Sequence, residues 1–387
     1  MSKLKSRGLI PASAVAVLAT LGLGACGSST PTSSSTTATT SSSTVAGSTS
    51  SSLAASTSNP TSPVTLTESG SSLLFPYLQE LVTPLGGAFS NVKLSPAAGG
   101  SGKGVTDATN GISQMGGSDA YLTNAELSSG LANVAIAVSA QDMFYNLPGV
   151  SNLKLSGSVL SQMYQGKITT WSDAAVAKLN PGVKLPSTKV IPVHRADSSG
   201  DTFLFTGFLS RADASGWGAS SGPGQGTTVT WPSVASAQTA SGNPGMVAAC
   251  KASPGCVAYV GISAQKTAQS VGLGEAALQD QAGDFVTADA TTINNAVGQS
   301  AGSVGSNLVA NLLYATGAMS YPIVNFEYIV VKSKQADPTT ALAIRDFLSF
   351  AISPTGGSAP ALLAKDNFQP LPSSVLPKVN AAIAAIQ

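Results

Sequence analysis

From Val64 onward, short apolar runs of strand character alternate with longer stretches whose apolar residues return at helical spacing. Val64 to Thr67, Val92 to Leu94 and Val134 to Val138 read as strands, and Leu73 to Phe89 and Lys103 to Asn110 as amphipathic helices between them. This alternation predicts an α/β fold with largely parallel strands, because a helical crossover returns the chain in the same direction. Phe144-Tyr-Asn-Leu-Pro-Gly149 has the look of the end of an outgoing crossover, and Pro322 to Val331 that of a returning one. Two such crossovers form a hinge. The first lobe is then expected to combine residues 64–142 with 322–387, and the second to be the insertion 143–321. A body of roughly 320 residues suits this division, being too long for one comfortable core. Toward the end, Leu342, Phe347, Leu348 and Ala351 fall near one face of a helix over Ala341 to Ile352, the pattern of a core-facing helix.

The N-terminal pattern is of another kind. Lys3, Lys5 and Arg7 precede an apolar run from Ala12 to Leu23 that is too short for a permanent membrane span, so residues 1–25 read as a signal peptide. The run ends Leu23-Gly-Ala-Cys26, which resembles the bacterial lipobox and makes Cys26 the expected lipidated first residue of the mature chain. Residues 26–63 form a linker of Ser, Thr, Ala, Gly and Pro with no charge and almost no large apolar side chain, a composition that cannot build a core. As a random coil, roughly 36 such residues span about 30–35 Å, enough to hold a globular body clear of a membrane. Such a tract is also open to O-glycosylation.

Charge narrows the function classes. Lys and Arg number 19 against 18 Asp and Glu, which argues against a nucleic-acid surface or a polybasic membrane patch. Against this neutral background three joins combine small hydroxyl residues with glycine at a strand-to-helix transition. They are Thr67-Glu-Ser-Gly-Ser-Ser-Leu-Leu-Phe-Pro76, Ala98-Gly-Gly-Ser-Gly-Lys-Gly-Val105 and Pro192-Val-His-Arg-Ala-Asp-Ser-Ser-Gly-Asp-Thr-Phe203. The last delivers Arg195 a few residues before a helix start, where free N–H groups favour a tetrahedral oxyanion. Taken alone, each join is equally a surface turn with a capping serine; together they suggest helix N-termini converging on one anion. Asp119, in Met115-Gly-Gly-Ser-Asp-Ala-Tyr-Leu122, and Asp201 add carboxylates where a plain anion would not want them. An ionised carboxylate only accepts hydrogen bonds, so it suits an oxyanion that still carries a proton.

The segments ESGSS (Glu68 to Ser72), GGSGKG (Gly99 to Gly104), GGSDAYL (Gly116 to Leu122), MYQGKITTWSD (Met163 to Asp173), LNPGVKLP (Leu179 to Pro186) and HRADSSGDTF (His194 to Phe203), with Phe368-Gln-Pro-Leu-Pro372, stand in a characteristic order. They resemble the phosphate-binding proteins of Pst phosphate ABC importers, and the resemblance runs from about Val64 to Gln387. It implies a two-lobe α/β solute-binding fold of the type II periplasmic binding protein kind, hinged on two crossover strands. It also implies phosphate ligands at Ser71, Ser72, the Leu73 backbone, Ser101, Asp119, Arg195, Ser199 and Gly200, with Asp197 pairing Arg195. The next position departs from the familiar enteric pattern, which has threonine there. Here it is Asp201, as in the lipid-anchored branch, and it is kept as a ligand. The implied partners are inorganic phosphate and the membrane subunits of an ABC permease, with a lipid anchor outside the cytoplasmic membrane, no cofactor, no metal and no nucleic acid. His194 stands where an arginine often sits, and its role is open.

In an oxidising compartment Cys250 and Cys256 are expected to pair as a local disulfide, the alternative being a metal or redox site. The reading from another class is a phosphate-ester hydrolase, which calls for a metal cluster or an activated nucleophile. The single histidine leaves it only a His194–Ser199 pairing. A lipoprotein adhesin would explain the Ser/Thr-rich stalk but not the ligand-bearing segments. Sulfate and molybdate are disfavoured by the two aspartates.

Overall fold

In the computed structural model of the chain, residues 58–387 are described. The leader 1–25, Cys26 and the linker as far as residue 57 therefore lie outside the described residues. The apolar runs become strands of one mixed sheet: β1 (Val64–Gly70), β2 (Val92–Ala98), β3 (Met115–Ser118), β4 (Leu131–Tyr145), β5 (Ile191–Arg195), β6 (Gln238–Ala240), β7 (Cys256–Gly261) and β8 (Val324–Lys332). Across the sheet they run β2-β1-β3-β8-β4-β7-β5-β6, and the short strand Gly274–Glu275 pairs with β4. Pro96 sits on β2, an edge strand, where its missing N–H breaks no inner ladder.

The expectation of parallel strands holds on the two flanks and fails in the centre. β1 is parallel to β2 and β3, and β5 to β6 and β7. β8, by contrast, is antiparallel to β3 and β4, and β4 antiparallel to β7. β4 is also much longer than the predicted Val134 to Val138, at 15 residues. Its first part, Leu131 to Ala140, pairs with β8, and its second part, Gln141 to Tyr145, pairs with β7. The extension carries Ser139, Gln141 and Asp142, polar residues that interrupt the apolar pattern yet are fully buried.

Five helices bear on the site: α1 (Phe75–Ala88), α2 (Ser101–Asn110), α3 (Gly200–Ala212), α4 (Gly242–Ala252) and α5 (Pro338–Ala351). α1 starts later than its apolar pattern, with Pro76 in the first turn, where a missing N–H costs nothing. α2 starts earlier, which puts Ser101 at its first position. In α5 the buried face is Ala341, Ile344, Phe347, Leu348 and Ala351, and Leu342 lies half-buried at its margin. α2 packs directly onto the sheet because Gly104 has no side chain: a Cβ there would lie 2.6 Å from Ser69 O and 2.7 Å from Gly117 O.

Cys250, near the end of α4, and Cys256, the first residue of β7, form a disulfide with Cα atoms 5.2 Å apart. The turn it closes is also tied from outside, since Asn146 Nδ2 donates to the carbonyls of Cys250 and Lys251, each at 2.9 Å. A ring this small contributes about 2 kcal/mol by loop entropy. Replacing both cysteines by alanine is accordingly expected to lower the melting temperature by a few degrees in calorimetry. Neither cysteine should be alkylated when the unreduced protein is denatured with iodoacetamide and mapped by peptide mass. Modification at both would refute the bond.

Candidate anion site

The site is assembled where the first turns of α1, α2, α3 and α4 meet the ends of β3 and β5. N–H groups of a first helical turn have no intrahelical acceptor and carry the positive end of the helix dipole. Asp119, just after β3, sits among them with 1% exposure. It accepts from Ser71 Oγ and, at 3.2 Å, from Ser101 Oγ, while its own N–H donates to Ser101 Oγ at 3.2 Å. Opposite stands Gly200 at the start of α3. A Cβ there would lie 2.6 Å from both Ser101 Oγ and the Asp119 Cβ, so glycine is what lets the α3 terminus reach this place.

Arg195 ends β5 and is 4% exposed. Its Nε donates to Asp197 Oδ1 at 2.7 Å, its Nη2 also pairs with Asp197, and its Nη1 donates to Asp201 Oδ2 at 2.7 Å. The Asp197 pairing expected from the resemblance is therefore present. Asp201 is held on the other side by Gln141 Nε2, 3.1 Å from Oδ1, and by Asn243 Nδ2, 2.9 Å from Oδ2. Asn243 then reaches across to Ser72: its N–H and Nδ2 donate to Ser72 Oγ at 3.0 and 3.3 Å.

Of the residues singled out from sequence, Ser71, Ser101 and Asp119 form one buried hydrogen-bonded group and Ser72, Arg195 and Asp201 a second, joined through Asn243, with Gly200 packed against the first. Two others adjoin them with their polar groups engaged locally. The Leu73 N–H donates to Ser71 Oγ at 3.0 Å, and Ser199 Oγ caps α3 by accepting from Thr202 N at 3.4 Å. His194 lies away from them, its ring stacked on Trp231 with centroids 4.4 Å apart and its pKa lowered by burial. No hydrogen bond joins it to Ser199 among the described residues.

Sequence reasoning missed Gln141, Asn243, Asn325 and Glu327. Ser241-Gly-Asn243 is a fourth small-residue join before a helix, and it carried the same signal as the other three. Gln141, Asn325 and Glu327 are polar residues inside otherwise apolar runs, where burial demands a partner.

The electrostatics follow from burial beside a single cation. Burial and the neighbouring Asp201 push the Asp119 carboxyl up to about 7, with Ser71, Glu327 and Arg195 opposing. Burial likewise raises Asp201, and Arg195 opposes it most strongly. For Arg195 burial alone favours the neutral form, but Asp197 and Asp201 outweigh it and hold the guanidinium charged. The site therefore combines hydroxyl, amide and guanidinium donors with a carboxylate acceptor, a set fit for a small oxyanion that also bears a proton.

Comparison with known proteins gives one consistent result. A family model described as the PBP superfamily domain matches residues 30–355. A phosphate-binding protein PstS from Methanocaldococcus jannaschii is 33% identical over 330 residues, covering 79% of this chain and 83% of its own. PstS3 of Mycobacterium bovis is 30% identical over 338 residues, covering 83% and 86%. Among solved structures, a high-affinity periplasmic phosphate-binding protein (PfluDING) bound with phosphate superposes with a TM-score of 0.64 at 20% identity, over 84% of this chain and 93% of that one. A phosphate-binding protein from Stenotrophomonas maltophilia gives 0.62 at 20% identity, over 82% and 93%. At that identity the structures speak for the fold alone, and the fold is the two-lobed α/β class expected from the sequence.

Glu68, on β1 beside the site, supplies a pH test of this burial. Its Oε1 accepts from Gly117 N at 2.9 Å, and Oε2 has no partner among the described residues. Burial raises its pKa from 4.5 to about 8, against the pull of the Gly117 and Ala97 N–H groups. A carboxyl raised in the fold binds more protons folded than unfolded, so its contribution to stability is complete below about 4.5 and is lost as pH rises through about 8. Melting temperatures measured across that window should fall more steeply for the natural protein than for Glu68→Gln. Parallel curves would show that Glu68 does not retain its proton.

Proposed function

The chain belongs to the Pst-type phosphate-binding proteins of the PBP superfamily, and from that premise we propose that it captures inorganic phosphate between two lobes and delivers it to an ABC permease. The observation that carries this reading is that one buried guanidinium, Arg195, and one buried carboxyl, Asp119, not bonded to each other, both stand among serine hydroxyls and helix N-termini. Hydrogen phosphate needs both: donors for its ionised oxygens and an acceptor for its P–OH. Sulfate has no proton to offer an acceptor.

In this reading Ser71, Ser72, the Leu73 N–H, Ser101, Arg195, Ser199 and the Gly200 N–H are the donors and Asp119 is the acceptor. Asp201, already shared between Arg195, Gln141 and Asn243, orients the guanidinium and adds a second acceptor. The lobes are residues 64–142 with 322–387, and 143–321. The turn of β4 from β8 to β7 at Gln141 supports a hinge there, as does the closeness of the two crossings. Gln141 N donates to Ile323 O at 3.0 Å, and Tyr321 Oη to Gln141 O at 2.9 Å. An anion held by groups from both lobes stabilises the closed form over the open one, which is the signal a permease reads.

The export route follows the N-terminal reading. The leader is removed before Cys26, which carries the lipid, and the linker holds the body outside the cytoplasmic membrane. Among the described residues no helix is long and apolar enough to cross a membrane. Binding without catalysis is favoured over ester hydrolysis because the only histidine stacks on Trp231 and the Ser199 hydroxyl caps a helix, so the His194–Ser199 pair that a hydrolase would need is not formed.

Titration calorimetry on the purified protein should find one phosphate per chain, and a chromogenic phosphomonoester should not be turned over; turnover would favour the hydrolase. Arg195→Ala should weaken phosphate binding at least tenfold, since it removes a charge-assisted contact worth a few kcal/mol and leaves the anion beside carboxylates. Unchanged affinity would remove Arg195 from the site. Asp119→Asn should retain part of the phosphate affinity, because an amide oxygen still accepts, while its discrimination against sulfate falls. Two unit charges about 4 Å apart at an effective dielectric of about 20 repel by roughly 4 kcal/mol, and competition titration with sulfate reads whether that repulsion is lost.

A further inference from the structure

We propose that Glu327 is a specificity-determining positioning residue: a neutral carboxylic acid in the centre of the sheet that donates its proton to Asp119 and so keeps Asp119 an ionised acceptor. The proposal rests on the phosphate reading of the site and extends it to a residue with no place in the ligand set. Glu327 lies on β8, between β3 and β4, in a run from Val324 to Val331 that is buried throughout. Its own exposure is 0%. An isolated carboxylate at such a place is far more costly than a neutral acid with hydrogen-bond partners.

The partners available to Glu327 indicate which form it takes. Ser139 Oγ, on β4, donates to Oε1. Oε2 meets no amide, hydroxyl or cationic donor among the described residues. The polar neighbour that remains is Asp119: in the antiparallel β3–β8 pairing Tyr328 stands opposite Ser118, so the next residues along, Glu327 and Asp119, face each other. Two carboxyls in contact away from water share a proton, and the environments of the pair decide which one holds it. Asp119 has Ser71, Ser101 and Arg195 to favour its anion. Glu327 has one hydroxyl and otherwise faces acids, Asp119 and Asp201, with the Tyr328 phenol beside it in the strand. Burial and then the charge of Asp119 raise Glu327 well above the ordinary carboxyl range. We accordingly assign the proton to Glu327, the partner with fewer donors.

The backbone is arranged to hold this contact. The β4–β8 register shifts between Glu327 and Tyr328: Glu327 pairs with Ala137 and Tyr328 with Ala135, leaving Ile136 as the extra residue of a bulge. A bulge re-aims side chains next to it. Two residues earlier on the same face of β8, Asn325 Nδ2 donates to the Asp119 carbonyl. β8 thus grips Asp119 by its main chain and, through Glu327, by its carboxyl. Were Asp119 to take the proton instead, it would donate to the anion and lose its ground for rejecting sulfate.

The test compares the natural protein with Glu327→Gln and Glu327→Met in calorimetric titrations of phosphate, with sulfate as competitor, from about pH 5.5 to 9. Glutamine keeps a donor toward Asp119, whereas methionine fills the space and keeps none. Glu327→Gln is expected to stay within about threefold of the natural phosphate affinity and sulfate discrimination. Glu327→Met should lose about tenfold or more of the discrimination near neutral pH, and the pH below which discrimination fades should rise by about one unit, the size of one lost hydrogen bond to a carboxylate. If natural protein and Glu327→Met discriminate alike with the same pH profile, or if glutamine is as damaging as methionine, the proposal fails while the phosphate reading stands. If the natural protein binds no phosphate, it is the phosphate reading that fails. Should the methionine variant not fold, the infrared difference between natural protein and Glu327→Gln at neutral pH decides. Loss of a protonated carboxylic acid band supports the proposal, and loss of a carboxylate band overturns it.

Discussion

Arg195 is a permanent charge held almost entirely out of water, and the rest of the site is organised by the need to compensate it. Asp197 and Asp201 provide the compensation from one short segment, two and six residues along the chain. A guanidinium matches two carboxylates in a fixed planar geometry, so the pairing orients as well as neutralises. Asp201 is in turn fixed by Gln141 from β4 and by Asn243 from α4, and Asn243 is bonded to Ser72 at the entrance to α1. A single buried charge thus ties together strands and helices from both flanks of the sheet. Removing one partner would leave an uncompensated charge indoors, a far larger penalty than the net worth of the pair.

Against that fixed frame the remaining acids divide by environment. Asp197 is partly exposed, and its contact with Arg195 outweighs burial to hold it below the ordinary range. Asp119 and Asp201 are fully buried and raised, the first more plainly because it has no direct bond to the cation. Glu68 and Glu327, in strands that support the site from behind, are raised further by burial without a cation beside them. Carboxyl groups of two residue types therefore act differently according to distance from one guanidinium. Glycine has a parallel part in the packing: Gly200 brings the α3 terminus against Asp119 and Ser101, and Gly104 lets α2 lie on the sheet.

Much of this was legible in the chain because the signals are local. Strand and helix periods, a Pro in the first turn of α1, Ser199 as the cap of α3 and the segment that brings Arg195 close to Asp197 and Asp201 all act within a few residues. So does the disulfide between Cys250 and Cys256. Polar residues inside apolar runs, such as Gln141, Asn325 and Glu327, announced that something was buried, but a sequence does not say which partner a buried polar group meets.

The tertiary structure alone decided the direction of the central strands, the switch of β4 from β8 to β7 at Gln141, and the placing of Glu327 opposite Asp119. These depend on which segments distant in the chain lie side by side, and that is a property of the whole packed sheet. The residues at the helix joins were determined by the sequence because capping, dihedral preference and periodicity are short-range. Their convergence, and the protonation that burial imposes on them, arose only when folding removed the water between them.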